Sequence, residues 1–216
     1  MQKIKLIIFD LDGTLVDAYR AVSRSLNFAL KKLNLPKIDD QVIQRRVGWG
    51  EKILVSAFVP PSKRKAALSI YRRHHPRSLR IGTKFLPGAQ KIIRALAKDG
   101  YLLAVASNRP TRFTNIILEH LSMKRYFACV LCADKVKNPK PAPDILLGIM
   151  KNLACRPHET IYVGDMTIDV QAGKLARVKT VSVLTGSSTR SEIRRTRPSR
   201  IIRSLAQLPQ IVDGKG

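Results

Sequence analysis

A chain of 216 residues that is 44% hydrophobic holds enough apolar material for one globular domain, or for one carrying a smaller insert. No apolar run reaches the ~20 residues that a membrane-spanning helix needs. The N-terminal run lacks a small-residue cleavage site, and three cysteines are too few and too odd in number for a disulfide framework, so the composition favours a reducing cytoplasm. The 40 Lys and Arg outnumber the 15 Asp and Glu, for a net charge of +25. That surplus implies a polyanionic neighbour, whether nucleic acid, an anionic membrane or a phosphorylated substrate.

In chain order, Lys3–Ile8 reads as a buried strand that runs into the cluster Phe9-Asp10-Leu11-Asp12-Gly13-Thr14-Leu15. Two carboxylates so close together at a strand end repel each other unless a cation is present, although Asp and Gly also close strands with no further purpose. Asp17–Leu35 has a helical stripe of Val22, Leu26, Ala29, Leu30 and Leu33, with Asp17 favoured in the first turn. Short helices are expected over Asp40–Val47, Glu51–Phe58 and residues 62–75, broken by Gly48-Trp49-Gly50 and Pro60-Pro61. Residues 15–85 therefore read as a small α-helical insert with little strand character. His74 and His75 have no partners at metal-ligand spacing and read as surface residues.

From Phe85 onward strands and helices alternate. Helices are expected over 88–99, 111–122, 143–153, 168–176 and 190–196, with Gly100 as a helix stop. Strands are expected over 101–106, 127–132, 160–163 and 180–184, and a further turn over 201–206. Cys129 and Cys132 form a CxxC within a strand, where residues three apart point to opposite faces, so they read as buried free thiols. The pattern predicts an α/β fold: a doubly wound, mostly parallel sheet of five buried strands, with residues 1–14 and 86–216 as its core.

In such sheets the site lies beyond the carboxyl ends of the strands, and the polar clusters fall there. The first strand delivers Asp10 and Asp12, the second Ser107 and Asn108, and a later one Asp165 followed by Asp169. Lys140 lies on a loop restricted by Pro139, Pro141 and Pro143. Asp10, Asp165 and Asp169 form a hard-oxygen set suited to Mg²⁺. An ionised Asp10 can attack phosphorus, Asp12 can act as acid and base, and Ser107, the Asn108 amide and Lys140 can hold phosphoryl oxygens. Taken singly, Ser107 is also an ordinary cap residue, Lys140 an ordinary surface lysine, and Asp165 with Asp169 a helix-start pair.

The four segments Phe9–Leu15, Ser107-Asn108-Arg109-Pro110, Lys140–Asp144 and Val163–Asp169 resemble the ordered motifs of the haloacid dehalogenase superfamily. The likeness covers residues 3–186 and is greatest to phosphoglycolate phosphatase-like hydrolases with a helical cap. It implies a Rossmann-like core and Mg²⁺ as cofactor. It implies Asp10 as nucleophile and metal ligand, and Asp12 as acid/base and as metal ligand through its carbonyl. It also implies Ser107, Asn108 and Lys140 as phosphate-binding residues, Asp165 as a metal ligand, and Asp169 as support for the metal's waters. Dehalogenating and phosphonate-cleaving relatives lack the second Asp, so Asp12 points to phosphoryl transfer. Close relatives often carry Lys where Arg109 stands, which reads as a conservative change. Ala176-Arg177 replaces their usual Ala-Gly.

The expected substrate is a small phosphorylated metabolite, phosphoglycolate first. A pyrophosphatase, a nucleotidase and a phosphosugar mutase are the alternatives within the fold. Arg45, Arg46 and Lys52, beside Trp49 and its flanking glycines, are the cap candidates for a second anionic group, although Arg45 and Arg46 also fit a solvated helix face. Residues 16–85 alone carry 16 basic and 4 acidic residues, so a nucleic-acid-binding protein is a further alternative, without a recognised motif. No oligomeric state is legible.

Overall fold

The structure is a computed structural model that describes residues 3–212; the outermost positions of the expected core, 1–2 and 213–216, lie outside them. Strands β1 (Leu6–Phe9), β4 (Leu102–Ser107), β5 (Cys129–Cys132), β6 (Thr160–Gly164), β7 (Lys179–Val183) and β8 (Arg200–Ile202) form one sheet. Their order is β5-β4-β1-β6-β7-β8 and every pair is parallel. The strand β1 is central, paired through Ile8 with Ala104 on one side and Tyr162 on the other.

The period-2 alternation of β1 sorts the core. Ile7 and Phe9 join Leu103, Val105, Ile161 and Val163 in a layer closed by helices α5 (Ala89–Lys98) and α6 (Thr111–His120). Leu6 and Ile8 join Ala104, Ala106 and Tyr162 in the opposite layer, closed by α7 (Asp144–Asn152) and α8 (Thr167–Leu175). A strand buried on both faces has to be apolar throughout, as Leu-Ile-Ile-Phe is. The tail adds α9 (Arg190–Thr196) and α10 (Leu208–Val212).

The helices α1 (Tyr19–Lys32), α2 (Asp40–Gln44), α3 (Glu51–Phe58) and α4 (Arg64–Gly82) enclose a third core, built from Val22, Leu26, Leu30, Ile43, Leu54 and Tyr71 among others. The chain enters these helices through β2 (Val16–Asp17) and leaves through β3 (Lys84–Phe85), and the two strands pair antiparallel. Asp17 lies just ahead of α1, where its carboxylate accepts from Tyr19 N at 3.2 Å.

Four expectations are corrected. The helix expected to end at residue 75 continues through Pro76 to Gly82. Tyr71, His75, Ser78 and Leu79 form a buried stripe along it, and that packing outweighs the single amide hydrogen bond lost at Pro76. A sixth strand, β8, occupies residues expected to form a turn; with one buried apolar residue, Ile202, it lacked a period-2 signal. Of the cysteines, Cys132 is buried, with its thiol 3.4 Å from Thr114 Oγ1, while Cys129 and Cys155 are half-buried; all three are free. His75 is fully buried, not on the surface, and His74 is half-buried.

Arg177 has φ +59° just past the end of α8, a left-handed position that suits Gly. Among the described residues no helix is long and apolar enough to cross a membrane.

Ile8 is completely buried, whereas Leu175 is 62% exposed. Ile8→Ala is expected to cost about 2–5 kcal/mol in urea unfolding, and Leu175→Ala no more than about 0.5 kcal/mol.

Candidate active site

The carboxyl ends of β1, β4 and β6 meet at the crevice where the strand order reverses. After β1, a tight turn is closed by Leu15 N and Val16 N, which both donate to Leu11 O. Gly13 sits in that turn at φ +80°, where any Cβ would collide with Asp165 and the Tyr19 hydroxyl. The turn holds Asp10 and Asp12 at the rim, and both side chains are almost wholly buried.

The Lys140 ammonium is the hub of the crevice. Its three N–H groups are shared among four oxygens within hydrogen-bond distance: Asp10 Oδ1 (2.8 Å), Asp169 Oδ1 (2.8 Å), Tyr162 Oη (2.8 Å) and Ala106 O (3.1 Å). The Tyr162 hydroxyl in turn donates to Asp169 Oδ1 at 2.7 Å, and Met166 N donates to Asp169 Oδ2 at 2.9 Å. Asp165 accepts from Thr14 Oγ1 (2.9 Å) and Ser187 N (3.0 Å). Asn108 fixes the lysine's backbone: Lys140 N donates to its Oδ1 at 3.0 Å, and its Nδ2 donates to Lys140 O at 2.9 Å. The same Nδ2 reaches Gly48 O of the helical segment at 3.1 Å. Ser107 Oγ accepts from Arg109 N at 3.1 Å.

Among the described residues, Asp10, Asp165 and Asp169 form a group whose ligand oxygens all lie within 4.8 Å of one another. Burial, above all, pushes the Asp10 carboxyl up to about 7; Lys140 works against this, and Asp169 adds to it. Asp165 is likewise held well above the usual carboxylate range by burial and by Asp10 and Asp169. Burial also acts against the charge on Lys140, but Asp10 and Asp169 outweigh it and hold the lysine above its ordinary range. The crevice is therefore short of positive charge. Carboxylate oxygens packed this closely are the donor set of a hard divalent cation.

Seven of the residues picked from sequence thus share one crevice: Asp10, Asp12, Ser107, Asn108, Lys140, Asp165 and Asp169. The side chains of the three candidates on the helical segment have different surroundings. Arg46 lines the small cavity above Asp10 and Asp12. Lys52 lines an outer groove. Arg45 ties the segment to the tail, donating to Ser187 O at 2.6 Å and Glu192 Oε1 at 3.0 Å.

Sequence reasoning missed Thr14, Tyr162, Ser187, His75 and the engagement of Arg109. Arg109 Nε and Nη2 grip the two oxygens of Asp12 at 2.9 and 2.7 Å, and Nη1 meets His75 Nε2 at 2.7 Å. Reading Arg109 as a conservative stand-in for lysine is therefore corrected: an ammonium cannot make this two-pronged contact. A tyrosine in an otherwise aliphatic strand, three residues before Asp165, was the one available signal for Tyr162.

The model of the haloacid dehalogenase-like hydrolase family matches residues 7–183. A phosphoglycolate phosphatase of Aquifex aeolicus is 29% identical over 204 residues, which are 93% of this chain and 96% of that protein. Another, of Pseudomonas putida, is 30% identical over 219 residues, 97% of this chain and 80% of the relative. Among solved structures, a predicted phosphoglycolate phosphatase from Haemophilus somnus superposes with a TM-score of 0.93 at 26% identity, covering 98% of this chain and 99% of that one.

A cation that binds only the folded crevice stabilises it. With Mg²⁺ at ~100 times its Kd, the thermal midpoint is expected to rise by about 5–10 °C. Chelation reverses the shift, and Asp165→Asn largely abolishes it. A midpoint indifferent to Mg²⁺ would contradict a cation site here.

Proposed function

The chain belongs to the haloacid dehalogenase-like hydrolase family, and from that premise we propose that it is a Mg²⁺-dependent phosphatase of small phosphomonoesters, phosphoglycolate first. The observation that carries this reading is the buried set of Asp10, Asp165 and Asp169 around Lys140, with Asp12 on the same turn as Asp10. Three carboxylates with one ammonium leave a deficit of positive charge that Mg²⁺ fits. Held by Asp10, Asp165 and the Asp12 carbonyl, with Asp169 in support, Mg²⁺ would offset negative charge on the carboxylates and on the substrate's phosphoryl oxygens.

The residues of the chain divide the reaction in two. Asp10 attacks phosphorus as the bond to the leaving oxygen breaks, giving an aspartyl phosphate, and Asp12 supplies the proton that the leaving oxygen takes. Asp12 then accepts a proton from water as that water attacks phosphorus, releasing phosphate and restoring Asp10. Ser107, the Asn108 amide and Lys140 hold the phosphoryl oxygens during both steps.

A small cavity of about 40 Å³ lies between Asp10, Asp12, Arg46, Glu51 and Tyr71, and it shares Gly50, Glu51, Asn108 and Pro110 with a wider outer groove. The three free thiols accord with a reducing cytoplasm.

A second reading rests on a different surface. Arg24, Lys31, Lys32, Arg73 and Arg77 surround a stacked Phe28–His74 pair, with ring centroids 4.1 Å apart, on the outer face of α1 and α4. Cations around an aromatic platform suit single-stranded nucleic acid.

A phosphate-release screen over small phosphomonoesters is expected to show turnover that requires Mg²⁺, with 2-phosphoglycolate among the best substrates. Asp10→Asn should lower kcat by ~10³-fold or more; full activity in that variant would exclude Asp10 as nucleophile. The second reading predicts that single-stranded RNA binds at 50 mM salt and loses at least about tenfold in affinity at 200 mM. An absence of binding at low salt would end it.

A further inference from the structure

The buried contact between Arg109 and Asp12 is the part of the crevice that the phosphatase mechanism leaves unused. A guanidinium donates and never accepts, so His75 Nε2 is the acceptor of the 2.7 Å bond from Nη1. The His75 ring therefore carries its proton on Nδ1, which lies 3.0 Å from Ser25 Oγ, and the Ser25 hydroxyl donates to Ala21 O at 2.9 Å. Burial and the Arg109 charge also hold His75 well below the usual histidine range, in the neutral form that this chain requires. The Tyr71 hydroxyl stands 3.1 Å from Nε2 and its ring stacks on the histidine. One arm of Arg109 is thus anchored to α4.

The other edge, Nε and Nη2, is occupied among the described residues by Asp12 alone. Both Asp12 oxygens face it. A carboxyl that hands a proton to a leaving oxygen from the side now facing the fork has to turn one of its oxygens away from Arg109, and one arm of the fork opens in that step. A buried guanidinium N–H without an acceptor is costly. The replacement acceptor has to arrive with the substrate, and it has to sit close to the ester oxygen, because Asp12 touches both.

Resting on the phosphatase reading, we propose that Arg109 is a specificity-determining residue that exchanges Asp12 for a carboxylate on the leaving group, one carbon from the ester oxygen. The planar edge that fits the two oxygens of Asp12 fits those of a substrate carboxylate equally well. His75 holds Nη1 during the exchange, so the guanidinium moves about a fixed point. A neutral leaving group offers no acceptor and leaves Asp12 clamped. Selection therefore works by releasing the acid/base, as well as by attraction.

The test compares 2-phosphoglycolate with its amide, which keeps the length and removes the carboxylate. Steady-state kinetics are measured on the wild-type protein, Arg109→Gln and Arg109→Lys, each with its thermal midpoint recorded. Wild type is expected to prefer 2-phosphoglycolate by ~100-fold or more in kcat/KM. Arg109→Gln should bring the two substrates within about threefold, because the fork is gone. Arg109→Lys, a point charge without the fork, should lose at least about tenfold of the preference, and it carries the test where Arg109→Gln does not fold. Equal turnover of both esters by wild type would overturn the proposal. So would a preference that survives in Arg109→Lys, or one that survives in Arg109→Gln and collapses in Arg46→Gln. If wild type turns over no phosphomonoester, the phosphatase reading itself fails and takes the proposal with it.

Discussion

One ammonium group makes the crevice possible. Lys140 Nζ lies buried between Asp10 and Asp169, with the Tyr162 hydroxyl and the Ala106 carbonyl completing its surroundings. Without it, Asp10 and Asp169, which with Asp165 form a group of carboxylates within 4.8 Å of one another, would lose the ammonium that contacts both of them. The lysine is held in turn by its backbone, which Asn108 grips at both N–H and C=O. A residue at the end of β4 thereby positions a cation that serves the ends of β1 and β6. Truncating Lys140 would leave buried charge unpaired, so folding and chemistry are coupled at this residue.

The sheet and the central polar residues were legible because they obey short-range rules. Leu6–Phe9 is apolar throughout, as a strand covered on both faces must be, and Asp10, Asp165 and Ser107 follow at strand ends where turns begin. What escaped depends on contacts distant in sequence. His75 gives no local sign of burial among Arg72, Arg73 and Arg77; it is buried because α4 packs its stripe against α1 and Phe113. Arg109 looks like a basic loop residue until Asp12, 97 residues earlier, is brought to it. Helix ends were blurred for a related reason: Asn34, Ser122, Ala154 and Arg177 take the left-handed position that glycine usually marks. Only Gly100 announced such a stop.

The helical segment is joined to the sheet domain by apolar packing of Ala21, Leu79 and His75 and by polar contacts above the crevice. Asn108 reaches Gly48, Ser187 reaches the Gln44 carbonyl at 3.1 Å, Arg45 reaches Ser187 and Glu192, and Arg109 reaches His75. Most of the surplus positive charge is not used in these contacts. Arg24, Lys31, Lys32, Arg73 and Arg77 lie on the opposite, outward side of the segment. The two faces therefore have different electrostatic character. The inner face pairs Arg45 with Glu192 and meets the Arg109–Asp12 pair, and the outer one leaves its cations to solvent and counterions.

The paired strands β2 and β3 bring Val16 beside Phe85 and Asp17 beside Lys84. The four helices between them start and finish at one point on the molecule, so the loop-closure entropy of the whole insertion is met by a two-residue ladder. Apart from Ala18, Ala21 and Leu79, which pack into the layer of β1 and α5, what lies between those strands has a core of its own, which can be rebuilt with little effect on the sheet. Such an arrangement lets a lineage revise the roof over its crevice while the floor is inherited unchanged.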